Sequence, residues 1–322
     1  LATILFDIDN HYHLQWTQQD ATIGVLGRVP VDPVFYIMAQ RVQEHCRLPY
    51  KGVSNVSQEG VRGRDWLLFH FTSVKALDAQ TLVAAPMGQG VMRKSGDGAW
   101  QSLEAGWPEE THVNRLHLEG GDVYASTNKG LWVFKDERWE LTPLAISCYQ
   151  YRQIGRLSLA ATAYGMWTHT GGEWHRSAYG DSIVYDFLYL PQFIVLALHR
   201  GIAIYDRLTD SWMDYAMEEA VTSLAIHEGR VLAVTESGKL LESNRRGGFE
   251  RIRFDHLFLF SVVMHGRSSY LCSNRGLYRI SRLGGRLTIR SVKLGCPVTD
   301  VDLVGDSLFM ATMFEGVLEV QR

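Results

Sequence analysis

A chain of 322 residues with 46% apolar side chains carries hydrophobic material for one large domain or two ordinary ones. Its 32 basic and 35 acidic residues nearly cancel, to a formal charge of -3, which excludes the footprint of a nucleic-acid binder and an acidic solvating tail. Four cysteines, Cys46, Cys148, Cys272 and Cys296, form no C-x-x-C pair and indicate free thiols in a reducing cytoplasm. With no leader pattern at the N-terminus and no run of the roughly 18 apolar residues a membrane helix needs, the expectation is a cytoplasmic protein without membrane contact.

In chain order, the first element is ATILFDI, an apolar run expected to form a strand. Because the last repeat reads as three strands, residues 1–8 are expected to close the ring by pairing with it, which would remove an exposed edge. Phe6–Asn10, FDIDN, resembles the nucleophile motif of haloacid-dehalogenase-type phosphatases. Those enzymes need a parallel sheet with crossover helices, which nothing downstream supplies, and Asn10 replaces the glycine usual there. His11 and His13 would put two imidazoles on one strand face, but no third ligand can be placed, so no metal site is expected. Residues 9–70 read as one irregular blade, with PVFYIMA as its best strand and Arg41–Asp65 within an enlarged loop.

From Phe71 onward one phrase recurs: an apolar strand, a turn, a strand ending in small residues, a glycine, an apolar strand, then an aromatic. Val113–Thr142 is the clearest of six written copies, and residues 71–322 are read as six regular repeats. The glycines Gly90, Gly130, Gly165, Gly201, Gly238, Gly276 and Gly316 recur 35 to 40 residues apart. That period with about four short strands specifies a propeller blade, whereas helical repeats would show a 3.6-residue pattern. Small residues such as Ala84, Ala85, Ala125, Ala160, Ala161 and Ala311 suit the narrow part of a wedge. Trp100, Trp139, Trp174, Trp212 and Phe249 recur at the wide part and are expected to pack between blades. The fold expected is therefore all-β, a single β-propeller of seven four-stranded blades over 1–322, with six and eight blades as alternatives.

TNKGLWVF and SNRGLYRI resemble the repeat of the sensor propellers found on two-component regulators, a T-x-x-G-L-W/Y-x-[FY] phrase. GIAIYDRLTDSW is similar to half a kelch blade without its paired glycines. The resemblance covers about 250 residues and implies an architecture without an activity.

Neither a nucleophile elbow, a zinc helix motif nor a phosphate loop occurs in the sequence. The basic clusters near Arg245–Arg253 and Arg275–Arg290 are open enough to be solvated sheet faces, so nucleic acid is not an expected partner. The residues just before each glycine anchor are expected to converge on one face: Lys129, Tyr164, His199, Arg200, Asn274, Arg275 and Phe314, with Gln89, Asn128, Glu236 and Glu315. Ordinary turn formers would be mostly Asn, Asp and Gly, so arginines and aromatics here point to a contact surface. The reading is a non-catalytic interaction propeller, an adaptor or regulator docking a protein partner on the channel face, with no cofactor. The alternatives are a hydrolase or lyase binding a small molecule at the channel mouth, and a ligand-sensing propeller.

Overall fold

The computed structural model describes residues 71–86 and 90–321 and, before them, the backbone of four two-residue strands. These are β1 (Leu5–Phe6), β2 (Tyr12–His13), β3 (Thr17–Gln18) and β4 (Ala21–Thr22), with β1 paired to β2 and β3 to β4. Blade one holds β5 (Phe71–Ala76), β6 (Thr81–Pro86), β7 (Met92–Ser95) and β8 (Gln101–Ser102). Blade two holds β9 (Val113–Glu119), β10 (Asp122–Thr127), β11 (Gly130–Lys135) and β12 (Arg138–Leu141). Blade three holds β13 (Cys148–Ile154), β14 (Leu157–Thr162), β15 (Gly165–Thr170) and β16 (Glu173–Ala178). Blade four holds β17 (Val184–Tyr189), β18 (Phe193–Leu198), β19 (Gly201–Asp206) and β20 (Ser211–Ala216). Blade five holds β21 (Val221–His227), β22 (Arg230–Thr235), β23 (Leu240–Ser243) and β24 (Phe249–Ile252). Blade six holds β25 (Leu259–His265), β26 (Ser268–Ser273), β27 (Gly276–Leu283) and β28 (Arg286–Leu294). Blade seven holds β29 (Val298–Val304), β30 (Ser307–Thr312) and β31 (Val317–Gln321).

Each blade is an antiparallel meander in which every strand pairs with the next in sequence. Tight turns permit this. Gly120 and Gly121, at φ +63° and +93°, turn β9 into β10, and Asp136 and Glu137 at +48° and +57° do the same for β11 and β12. Two successive positive φ values match the right-handed twist of the strands they join. The anchor glycines have a second duty beyond their turn. At Gly201 and Gly276, φ +117° and +144°, a Cβ would lie 2.0 Å from the carbonyl oxygens of Tyr215 and Lys293, so only glycine lets the end of the fourth strand pass there.

First strands neighbour one another in order from β5 to β29, and β29 lies against β5. The molecule is thus a seven-bladed β-propeller, all-β among the described residues. Residues 71–321 supply all seven sheets, one more than the six repeats read there, because each of the seven anchor glycines marks its own blade. The irregular blade expected from residues 9–70 falls, but for the short strands, outside the described residues. The closing strand expected at residues 1–8 is described only at Leu5–Phe6, which pairs with Tyr12–His13. Blade seven counts three strands among the described residues. The side chains of His11 and His13, and Cys46, likewise lie outside the description.

Hydrophobic clusters fill the seams between blades. Ala85, Ser126, Ala161, Ala197, Val234, Cys272 and Ala311, one per blade at equivalent places in the second strand, are all fully buried. Trp139, 1% exposed, joins Leu103 and Val83 of blade one and donates its indole N–H to Leu103 O at 3.1 Å. Trp100, Trp174 and Phe249 pack against their own seams. Trp212 departs from the expectation: it is 39% exposed, held between Tyr179 and Tyr205 with ring centroids at 4.8 and 5.0 Å.

Candidate functional site

Every first strand skips its second residue when it pairs with its neighbour, leaving Thr72, Asn114, Tyr149, Tyr185, Thr222, Phe260 and Thr299 as bulges. A bulge bends the strand and re-aims the next side chain. That next residue is polar seven times out of seven: Ser73, Arg115, Gln150, Asp186, Ser223, Ser261 and Asp300. These side chains reach sideways into adjacent blades. Ser73 Oγ accepts from Leu116 N at 3.1 Å and donates to Asp300 Oδ2 at 2.6 Å, which also accepts from Val74 N at 3.2 Å. Gln150 Nε2 donates to Asp186 Oδ1 at 2.9 Å, and Leu224 N donates to Asp186 Oδ2 at the same distance. Ser223 Oγ accepts from Val262 N at 3.1 Å, and Ser261 Oγ donates to Thr299 O at 3.0 Å. At the remaining seam Asn114 Nδ2 donates to Cys148 O at 2.7 Å, so all seven seams are stitched by polar side chains at the inner strands. Arg115 passes over blade three to reach Asp186 at 3.4 Å.

The inner strands enclose a central channel of about 620 Å³. Three of its four acids, Asp186, Asp300 and Asp302, are committed, while burial raises the carboxyl of the fourth, Glu119. Burial raises the Asp300 carboxyl, but Lys75 at 3.5 Å, the Ser73 hydroxyl and Arg115 outweigh this and hold it below its ordinary value. Asp302 Oδ2 accepts from Ala76 N at 2.8 Å, while His265 Nε2 donates to Val301 O at 2.9 Å. His117, Ser126 and Cys148 form a chain with contacts of 2.8 and 3.3 Å, a sequence that superficially suggests nucleophilic chemistry. Burial, then the charges of Arg115 and Lys75, hold the imidazole well below its ordinary value, and burial pushes the Cys148 thiol up to about 12. A neutral histidine and a protonated thiol sealed between blades two and three form a packing network, since a reactive thiol needs thiolate character and access. Among the described residues no group of three metal-donor side chains gathers.

The second feature is the face carrying the hairpins between second and third strands. Thr127, Thr162, Ser273 and Thr312 each donate a hydroxyl to the anchor-glycine carbonyl at 2.7 to 2.9 Å. The same oxygens accept the amides of Lys129, Tyr164, Arg275 and Glu315 at 2.9 to 3.2 Å. The tips also bond to the linker entering their own blade, as in His199 N to Ile183 O and Asn274 N to Phe258 O. Shared connectivity around one axis brings all these tips to one face, although Lys129 and Phe314 are far apart in sequence.

Of the residues singled out from sequence, Tyr164 is 59% and Phe314 48% exposed, and Lys129, Arg200 and Arg275 are exposed beside them. His199 is half-buried, with Nδ1 3.1 Å from Ser182 Oγ. Asn274 is a correction: at 3% exposure it is no contact residue but a clip, its Oδ1 accepting Phe258 N at 3.0 Å. Asn128 clips His112 N in the same way at 2.8 Å. In both SNRG and TNKG the asparagine therefore serves the turn, and the basic residue after it faces solvent. Gln89 lies outside the described residues. Sequence reasoning missed the stitching ring, although a polar third residue in FTS, VNR, CYQ, VYD, VTS, LFS and VTD was its visible signal. It also missed Tyr149, Tyr185, Phe260 and Met313, which line the channel near this face; Tyr149 and Tyr185 meet edge-on at 5.0 Å.

A closed, seven-bladed ring with a polar-stitched channel and a face of rigid hairpin tips places the chain in the β-propeller class. No family model matches the chain, and no curated protein matches it in sequence. Similar solved structures share the fold. The extracellular domain of a hybrid two-component system from B. thetaiotaomicron matches with a TM-score of 0.62 at 14% identity over 78% of this chain, which spans only 38% of that domain. Virginiamycin B lyase from Staphylococcus aureus gives 0.62 at 8% identity, covering 79% of this chain and 96% of the lyase. YCF48 bound to D1 peptide gives 0.59 at 13% identity, covering 79% and 94%. The sensor likeness agrees with the resemblance of the repeat phrase.

Proposed function

We propose that this chain is a non-catalytic binding propeller that docks a protein partner on its hairpin-tip face. The observation that carries the reading is the exposure of Tyr164 and Phe314 on tips whose backbones are fixed by hydroxyl clips. Exposed aromatics on a preorganised frame lose little conformational freedom on binding, and aromatic and arginine anchors dominate interface energetics. A hydrolase or lyase reading finds less support, because Asp186, Asp300 and Asp302 already accept hydrogen bonds from neighbouring blades. A propeller of similar fold holds a peptide, which makes a polypeptide partner a reasonable analogy. A cytoplasmic location belongs to the same proposal, supported by Cys148, Cys272 and Cys296 standing as buried free thiols.

The test is affinity capture from the native host with the wild-type chain and with Tyr164→Ala/Arg200→Ala. A partner retained by the first and lost by the second, with melting unchanged, supports the reading. A partner held equally by both rejects this face. Fractionation of the host tests the location.

A further inference from the structure

Five seams receive an apolar side chain from a fourth strand: Trp100, Trp139, Trp174, Phe249, and Leu287 with Ile289. The seam between blades three and four breaks the rule. Trp212, the equivalent residue, stays outside the cluster of that seam and stands 39% exposed. What it leaves is a cavity of about 420 Å³ floored by Leu157, Leu159, Met166 and Ile194, with Tyr205 and Trp212 at its wall. That volume and apolar lining fall within the range of small-molecule sites, about 300 to 1,000 Å³.

Two opposite charges stand at its rim, Arg207 and Asp210, on either side of the turn from β19 to β20. They are not spent on each other. Arg207 lies over the Tyr189 ring at 5.0 Å and gives one N–H to Pro191 O at 3.1 Å, keeping the remaining donors of its fork. Asp210 accepts the Tyr205 hydroxyl through Oδ1, which leaves Oδ2 with acceptor capacity. Two hydroxyl side chains, Thr168 and Ser177, also line it, and that of Ser177 is turned to Met166 O at 3.0 Å.

An apolar slot with one cation and one anion at its mouth is complementary to a molecule that carries the opposite pair on one small headgroup. We propose that the gap between blades three and four binds a zwitterionic amino acid with a large apolar side chain. Its carboxylate would meet Arg207, its ammonium Asp210, and its side chain would take the seam volume that Trp212 leaves empty. A singly charged apolar compound would satisfy one rim charge and force the other to lose water without compensation.

Calorimetric titration of the full chain with L-phenylalanine tests this, against 3-phenylpropionate, which lacks the ammonium, and phenethylamine, which lacks the carboxylate. Expected are saturable 1:1 binding of phenylalanine and a loss of about tenfold or more for each analogue, the scale of one missing ionic contact. Arg207→Ala and Asp210→Asn, both exposed and remote from the core, should each reproduce the loss. Ala178→Phe, which fills the gap without touching the rim, should abolish binding, while Tyr164→Ala should leave it unchanged. No heat of binding at millimolar phenylalanine overturns the proposal. So do equal affinities for all three compounds, or full binding by the Ala178→Phe chain with its melting transition intact.

Discussion

At the residue scale, the chain's buried polar groups are structural wherever their partners can be followed. Asp186 accepts from Gln150, Leu224 and Phe187 and pairs with Arg115, joining four blades through one carboxylate. Asp186→Ala would strand a half-buried guanidinium, a buried amide and two backbone N–H groups, and should cost about 3–5 kcal/mol in urea unfolding. Asp300 makes a related prediction in pH. Its folded-state carboxyl titrates below the unfolded value, so its contribution is complete above that value, about 3.9, and disappears as pH falls through the folded one. Stability measured from pH 7 downward should fall less steeply in Asp300→Asn than in the wild type, because that variant has no such carboxylate to lose. The two tryptophans separate packing from exposure. Trp139→Ala should cost about 3–5 kcal/mol as a buried aromatic deletion. Trp212→Ala should cost roughly 1 kcal/mol, the worth of its ring pairs with Tyr179 and Tyr205.

At the element scale, the hairpin tip is built by a short sequence grammar. In blades two, three and six a Thr or Ser closes the second strand, two residues form the tip, and glycine opens the third strand, with the hydroxyl tying both ends. Thr162 shows the pattern: it donates to Gly165 O at 2.8 Å and accepts Tyr164 N at 3.0 Å. Removing the hydroxyl with Thr162→Val strands a buried carbonyl and an amide, and should lower stability by about 1–3 kcal/mol. If the clip also presents Tyr164, hydrogen exchange at the Tyr164 amide should quicken more than at the neighbouring strands. This grammar was readable as a glycine period, but the reason it holds is tertiary. At Gly201 and Gly276 the fourth strand's backbone occupies the space a Cβ would need.

At the scale of the whole molecule, the ring depends on a seam between residues more than 220 positions apart. Ser73 and Val74 bond to Asp300, and Ala76 to Asp302. Asp302→Ala should therefore open the seam between blades seven and one before any other, seen as faster exchange at the Ala76 amide and at β29 while β17 stays protected. Uniform loss of protection around the ring would instead mean that closure is shared equally among the seams.

The sequence by itself determined the architecture and much of its spacing. Small residues on second strands, glycines near every 40 positions and an aromatic on the fourth strand are each demanded by a wedge-shaped blade, so they recur and can be counted. Seven glycines foretold seven blades even where the assignment of blades to residues did not. Equivalent positions in a repeat do not share an environment, however, and only the tertiary structure decided which exposed tips remain contact residues. Asn274 and Tyr164 hold the first and the second position of comparable tips, and the first is drawn under the linker by Phe258 N while the second faces solvent. The polar third residue of each first strand was visible as a letter, but its role required the bulge that turns it and the neighbouring blade that receives it. Trp212 carries the same reason furthest: its position in the repeat predicts burial, and the packing of Tyr179 and Tyr205 around it holds it at the surface and leaves the seam open.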